Sequence, residues 1–203
     1  MKGDSEWYKL TLYRTPTFGH ANIITFKDKD GQLIRPFSSI EEHDETIIDN
    51  HNKLVKPQDR VYVMGDICIH RKSIPMIGRL NGRKKLLRGN HDVFKLKDYT
   101  PYFDDIDAYR VYPEQGIIFS HIPVHPAQLE YRFKWNAHGH LHSNLVMREI
   151  ETTVGIDLIT CEPVNHKVIT PDKRYLNLCL EHTGFKPVSF DEICEKIGWE
   201  KNK

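Results

Sequence analysis

Five of the chain's 12 histidines fall within 22 positions: His121, His125, His138, His140 and His142. Imidazole is the commonest metal ligand and the side chain that titrates nearest neutral pH. Upstream lie Gly65-Asp66 and Gly89-Asn90-His91-Asp92. Taken together, Asp66, Asn90, His121, His140 and His142 offer one carboxylate, one amide carbonyl and three imidazoles. Such an oxygen and nitrogen set suits Mn²⁺, Fe²⁺ or Zn²⁺ better than a thiolate-loving ion. A carboxylate can bridge two cations, and a cation pair can clamp a phosphoryl group and generate hydroxide near neutral pH.

These residues share one place in the local pattern, because each cluster follows a short apolar run. Val61–Met64 precedes Asp66, Lys85–Arg88 precedes Asn90, Ile117–Phe119 precedes His121, and Trp135–Ala137 precedes His140 and His142. Such runs read as strands. In α/β folds the loops after the carboxyl ends of strands gather ligands, so residues far apart in sequence can converge. Glycines at 65, 89 and 139 allow sharp turns beside the site.

The remaining elements frame these strands. Trp7–Tyr13 alternates with Tyr8, Leu10 and Leu12 on one side, as a strand does. Ser39 and Glu42 form a capping box for a helix that places Ile40, Ile47, Ile48, Leu54 and Val55 on one face and ends before Pro57. A second helix is expected over about Ser73–Leu80, with Pro75 in its first turn. Ala108–Tyr112 and Ile117–Phe119 read as a hairpin around Glu114-Gln115-Gly116. Tyr175–Leu180 reads as a late strand. A last helix opens on a second capping box, Ser189 and Glu192, buries Phe190, Ile193 and Ile197, and stops at Gly198. With no repeat, low-complexity tract or linker, the pattern predicts one α/β domain over residues 1–203.

Composition narrows the function class. Twenty-nine basic and 28 acidic residues give a net charge of +1, which argues against a dedicated nucleic-acid-binding protein. No apolar run reaches membrane-spanning length, and Met1–Glu6 has no apolar core of a secretory signal. Four scattered cysteines without a C-x-x-C pair favour a reducing compartment, so a cytoplasmic location is expected, in the host cytoplasm if the chain is phage-encoded. The basic stretch Arg79, Arg83, Lys84, Lys85 and Arg88 reads better as a solvated loop and strand edge than as a steering patch. Tyr131, Phe133 and Trp135 read better as one core-packing strand than as a base-stacking platform. His125 and His138 either orient ligands or are exposed. His43, His51, His70, His166 and His182 carry no special expectation.

The chain resembles the calcineurin-like metallophosphoesterases, particularly their small bacterial and bacteriophage-type members. The resemblance rests on Phe18-Gly19-His20-Ala21-Asn22-Ile23-Ile24, Gly65-Asp66, Gly89-Asn90-His91-Asp92, Ser120-His121-Ile122-Pro123, Gly139-His140-Leu141-His142 and the tail from Tyr175 to Ile193. It implies an α+β fold, a two-sheet β-sandwich flanked by helices, with a dinuclear metal site between the loops. Residue by residue, it implies that Asp66 bridges both metals. Asn90, His121 and His140 complete the second site, His142 belongs to the first, and His91 faces the phosphate as acid or charge stabiliser. Arg88 and His20 would lie near the substrate. The implied activity is hydrolysis of a phosphate ester, with a phosphodiester such as a nucleotide or cyclic nucleotide preferred. The implied cofactor is a divalent transition metal, manganese first and iron, nickel or zinc as alternatives. The implied state is a monomer or homodimer working on a small substrate away from membranes.

The sequence departs from the family at its first motif, Asp-x-His. Thr15 and Thr17 stand at those two positions, leaving the first metal only Asp66 and His142, whereas the second keeps its full set. Three readings follow. The chain works with one tightly held metal; or it is a natural relative that binds a phosphate-containing ligand or a protein partner without turnover; or the threonines were introduced to trap a substrate.

Overall fold

The computed structural model describes residues 10–13, 16–156 and 159–200. Expectations placed on Met1–Glu6, Trp7, Tyr8 and Thr15 lie outside the described residues. Eleven strands and four α-helices are described, namely β1 (Leu10–Tyr13), α1 (Ile40–Leu54), β2 (Arg60–Val63), β3 (Arg83–Leu87), α2 (Leu96–Tyr99), β4 (Asp105–Asp107), β5 (Tyr109–Tyr112), β6 (Ile117–Ser120), β7 (Trp135–His138), β8 (Met147–Ile156), β9 (Pro163–Pro171), β10 (Tyr175–Asn177), α3 (Leu180–Thr183), β11 (Val188–Ser189) and α4 (Phe190–Lys196).

One sheet has the order β11-β1-β2-β3-β4 and a second the order β10-β7-β6-β5. Strands β1 to β4 run parallel, as do β6, β7 and β10. Side-chain alternation assigns the faces. Leu12, Tyr62 and Leu87 of the first sheet meet Ile117, Phe119 and Ala137 of the second in one buried cluster, closed by Ile193 of α4. The opposite face of the first sheet, Val61, Val63 and Leu86, packs on Ile47 and Ile48 of α1 and on Ile74 and Ile77. Full burial of an isoleucine such as Ile47 contributes about 1.5–3 kcal/mol, which anchors α1 to the sheet. Ile118, Leu129, Phe133 and Tyr175 form a third cluster behind the second sheet. The fold is therefore mixed α/β, with sheets predominating, as the sequence pattern predicts at that level.

Several elements differ from expectation. Leu54 is exposed rather than buried, since α1 turns its last residue away from the sheet. The Ser39 hydroxyl caps the Glu42 N–H, but the Glu42 carboxylate accepts from the N–H and hydroxyl of Ser38. The box is thus shifted by one residue on its return arm. The expected second helix is a 3₁₀ helix over Arg71–Arg79; Pro75 removes a donor that an α-helix would use. The late strand stops at Asn177, and Leu180 opens α3. Phe133 is buried, but Tyr131 is 88% exposed and both precede β7, so the three aromatics do not form one strand. The last helix and its reciprocal capping box are as expected, with Ile193 buried, but Phe190 and Ile197 are only half-buried against the same cluster. Sequence reading missed the β8–β9 hairpin altogether. Its strands are solvent-exposed on nearly every residue, so the inside-outside contrast that flags a half-buried strand is weak.

Candidate metal centre

Parallel strands bring the clusters together. Asp66 follows β2, Asn90 and His91 follow β3, His121 follows β6, and His140 and His142 follow β7, all past carboxyl ends. Two close approaches set the floor of the site. A Cβ on Gly89 would collide with the Asp66 carboxylate, and one on Gly65 would lie 2.6 Å from both the Gly89 nitrogen and His121 Nδ1. Only glycine fits at either position.

Asp92 fixes this floor, a role the sequence reading did not give it. Its buried carboxylate accepts from the backbone N–H groups of Asp66 (2.8 Å), Ile67 (3.0 Å) and Gly89 (2.8 Å). Burial still pushes its carboxyl above the usual range. Arg88 Nε donates to the Asp92 carbonyl at 2.7 Å, with Nη2 toward the Phe94 carbonyl. Arg88 thus braces the loop that carries Asn90 and His91. The other basic residues of that stretch are engaged locally: Arg79 with Glu45, Arg83 with Asp104, Lys85 with Asp105, and Lys84 with the carbonyls of Leu80 and Gly82.

The donor and acceptor inventory identifies the centre. His121 Nδ1 lies 2.8 Å from the Met64 carbonyl, which can only accept, so Nδ1 carries a proton. Nε2 then lies 3.0 Å from Asn90 Oδ1 and 3.1 Å from Asp66 Oδ2. An amide carbonyl and a carboxylate oxygen thus face the same ring nitrogen. Either a proton on Nε2 or a metal ion must sit among them. The ligand atoms of Asp66, His121 and His140 all lie within 4.8 Å of one another, with the His121 and His140 rings edge to face at 5.3 Å. The other Asp66 oxygen accepts from the His91 N–H at 2.9 Å. Burial pushes the Asp66 carboxyl up, but the His121 hydrogen bond and charge and the His91 contacts outweigh it and bring it below its ordinary value. Burial, then the neighbouring His121, lowers the His140 imidazole.

Four expected site residues surround this core differently. The exposed His91 ring stands beside the acceptors. His20 is half-buried, and its imidazole is lowered by burial first and then by His70, His91, Arg35 and His142. Thr17 is buried, and its N–H lies 3.2 Å from the Asp66 carbonyl. His142 is outside the tight group; its Nδ1 lies 2.9 Å from Glu181 Oε1. Burial raises the Glu181 carboxyl, but the His142 hydrogen bond and the Arg35 charge dominate and bring it down to about 2. Among the described residues its buried Oε2 has no hydrogen-bond partner. Of the two histidines without a firm role, His125 caps a short 3₁₀ helix and His138 is buried at the end of β7.

Backbone conformation marks the same places. Thr17, Asp66, His140 and His142 have φ of 53°, 52°, 67° and 50°. Non-glycine residues in the left-handed region are uncommon and cluster at functional sites.

The fold and the site thus define a mixed α/β protein with a candidate metal centre at strand ends. The chain is 30% identical over 202 residues to the uncharacterized protein MJ1445 of Methanocaldococcus jannaschii, covering 96% of this chain and 93% of that protein. It belongs to the family of that protein. A stretch of 108 residues is 29% identical to the Gene 66 protein of Mycobacterium phage L5, spanning 50% of this chain and 47% of the phage protein. The crystal structure of AQ665 from Aquifex aeolicus, a protein of unknown function, superposes with a TM-score of 0.62 at 24% identity, over 93% of this chain and 98% of that one. That likeness is one of fold. No family model matches the chain. Among the described residues no helix is long and apolar enough to cross a membrane.

Proposed function

We propose that the chain is a metal-dependent phosphoric ester hydrolase of calcineurin-like architecture, acting on a phosphodiester such as a nucleotide or cyclic nucleotide. The observation that carries this reading is the convergence of Asp66 Oδ2 and Asn90 Oδ1 on His121 Nε2, with His140 alongside. Those four residues would hold one divalent transition ion, manganese before iron, nickel or zinc. When bound, the ion polarises a phosphoryl oxygen and makes an attacking water more acidic. The protein supplies the rest. Asp92 and the two glycines hold the ligand loops rigid, and Asp66 Oδ1 fixes the His91 backbone. The exposed His91 imidazole is free to reach the leaving oxygen and give it a proton. His20, on which the charges of His91 and His142 act, would offer an anionic substrate a further hydrogen-bond donor. Four free thiols, three of them buried, fit a reducing compartment such as the cytoplasm.

Thr17 favours a second reading, a relative that binds a phosphate ligand without turnover, because a neutral hydroxyl is a poor substitute for imidazole at that position. One experiment separates the two: Mn²⁺-dependent hydrolysis of bis(p-nitrophenyl) phosphate, with elemental analysis of metal per chain. Hydrolysis with at most one tightly held ion per chain is expected. Bound metal without hydrolysis selects the second reading, and absence of metal binding removes both.

A further inference from the structure

The phosphoesterase reading makes no use of a buried ionic chain beside His142. Arg35 is 0% exposed. Its Nε donates to Glu181 Oε1 at 2.8 Å and its Nη1 to the Pro16 carbonyl at 3.1 Å. The same Nη1 lies 3.0 Å from His43 Nε2, which must accept because a guanidinium only donates. His43 Nδ1 therefore carries its proton toward Asp44 Oδ1 at 2.8 Å, and Asp44 Oδ2 accepts from the Gly19 N–H at 2.9 Å. At the other end, Glu181 Oε1 faces His142 Nδ1 at 2.9 Å. One network thus ties the 16–19 loop, the segment before α1, α1 itself and α3 to a single imidazole.

Burying an arginine and a glutamate costs several kcal/mol per ion, so such a pair is weak evidence for stability. Its visible consequence here is orientation. A carboxylate offers only lone pairs, so Nδ1 of His142 must hold a proton, and in the neutral ring Nε2 presents its lone pair. The backbone is secured separately: the His142 carbonyl accepts from Asn177 Nδ2 at 2.9 Å and lies 3.0 Å from His182 Nε2, holding a residue at φ 50°. Ring and backbone are both over-determined, as strained functional positions require.

We propose that Glu181, held in place by Arg35, is the positioning residue for His142: it locks the ring as the Nδ1–H tautomer and turns the Nε2 lone pair toward the cleft. The use of that lone pair for a metal rests on the phosphoesterase reading; the tautomer lock does not. Carboxylate partners of this kind orient metal-binding histidines generally.

The test is a long-range ¹H–¹⁵N spectrum of the full, metal-free chain labelled at histidine, taken at about pH 8.5, above the ordinary histidine range. The His142 signals are assigned by their loss in His142→Asn. The wild-type ring is expected to be protonated on Nδ1 alone. Arg35→Met with Glu181→Gln removes both charges but keeps a carbonyl acceptor, and should keep that tautomer. Arg35→Met with Glu181→Leu replaces the pair by apolar groups of similar volume, a change that folds tolerate, and should give a mixture of tautomers. A wild-type ring protonated on Nε2, or a Glu181→Leu variant still locked on Nδ1, overturns the proposal. If the Glu181→Leu variant does not fold, the wild-type and Glu181→Gln spectra decide. A locked wild-type ring in a chain without Mn²⁺-dependent hydrolysis removes the phosphoesterase reading and leaves the positioning role standing. Hydrolysis with His142 on the other tautomer does the reverse.

Discussion

The two halves of the cleft have the same backbone and opposite chemistry. On one side, Asp66 and His140 sit in the left-handed region, and on the other, Thr17 and His142 do. In the first half two acceptors crowd one nitrogen: Asp66 Oδ2 and Asn90 Oδ1 both face His121 Nε2, where a single proton or a cation must serve them both. In the second half donors are built in. Glu181 Oε1 takes hydrogen bonds from Arg35 and His142, and Thr17 brings a hydroxyl where the resembled family has imidazole. Residue types alone would rate the halves as similar, since both hold histidine and carboxylate. The difference lies in whether the lone pairs are already matched. An unmatched set calls for a cation, whereas a matched set orients a side chain.

The largest effect should come from the unmatched half. Asp66→Ala removes the one anionic ligand and should weaken Mn²⁺ binding by more than about 100-fold, beyond what loss of an outer partner costs. Thr17→Ala should leave the ion count unchanged. Titration calorimetry and elemental analysis check both. Equal losses from the two variants would break the distinction between the halves. Next in size is His91→Ala. A proton donor to the leaving oxygen is worth about 10²–10⁴-fold in turnover, so the rate should fall by that factor while metal content stays at the wild-type level. A parallel loss of metal would make His91 a ligand instead.

The unmatched half was largely legible in the sequence, because Asp66, Asn90, His121 and His140 each follow a short apolar run, and parallel strands bring such ends together. The matched half was not. Arg35 and Asp44 stand in or beside an amphipathic helix whose periodicity says only that one face is buried. His43 and His51 lie on that buried face, at 0% exposure, where apolar spacing gives no hint of a polar network. Glu181 had a weak signal that could have been used, since it follows β10 as closely as His142 follows β7. Asp92 was visible inside its motif, but its three backbone partners depend on the fold. The β8–β9 hairpin escaped for a simpler reason: with both faces in water, apolar and polar residues do not separate cleanly.

The third prediction converts one half toward the other. Thr15→Asp together with Thr17→His supplies the carboxylate and the imidazole that the resemblance expects at those two positions. A second ion should bind, and Mn²⁺-dependent hydrolysis should rise by at least about tenfold, because two cations clamp a phosphoryl group better than one. Elemental analysis and steady-state rates check this. Two ions at full occupancy in the unaltered chain would mean that the matched half already holds a metal, with His20 the first residue to examine.

The smallest effect concerns strain. Thr17 is β-branched, 5% exposed and held at φ 53°. For a β-branched residue this conformation is a genuine outlier, and left-handed non-glycine residues cost on the order of 1–3 kcal/mol. His140 has a similar φ of 67°, but histidine tolerates that region better. Thr17→Asn places a tolerant residue of similar size in the same backbone and gives up about one buried methyl group, worth roughly 0.8 kcal/mol. Relief should exceed that loss by about 1 kcal/mol, which for a chain of this length raises the thermal midpoint by about 2–4 °C. His140→Asn should give no such rise, because little strain is there to relieve. Differential scanning calorimetry of the metal-free variants reads both changes. A lower midpoint for Thr17→Asn would mean that the hydroxyl and methyl of Thr17 make contacts stronger than the strain they maintain.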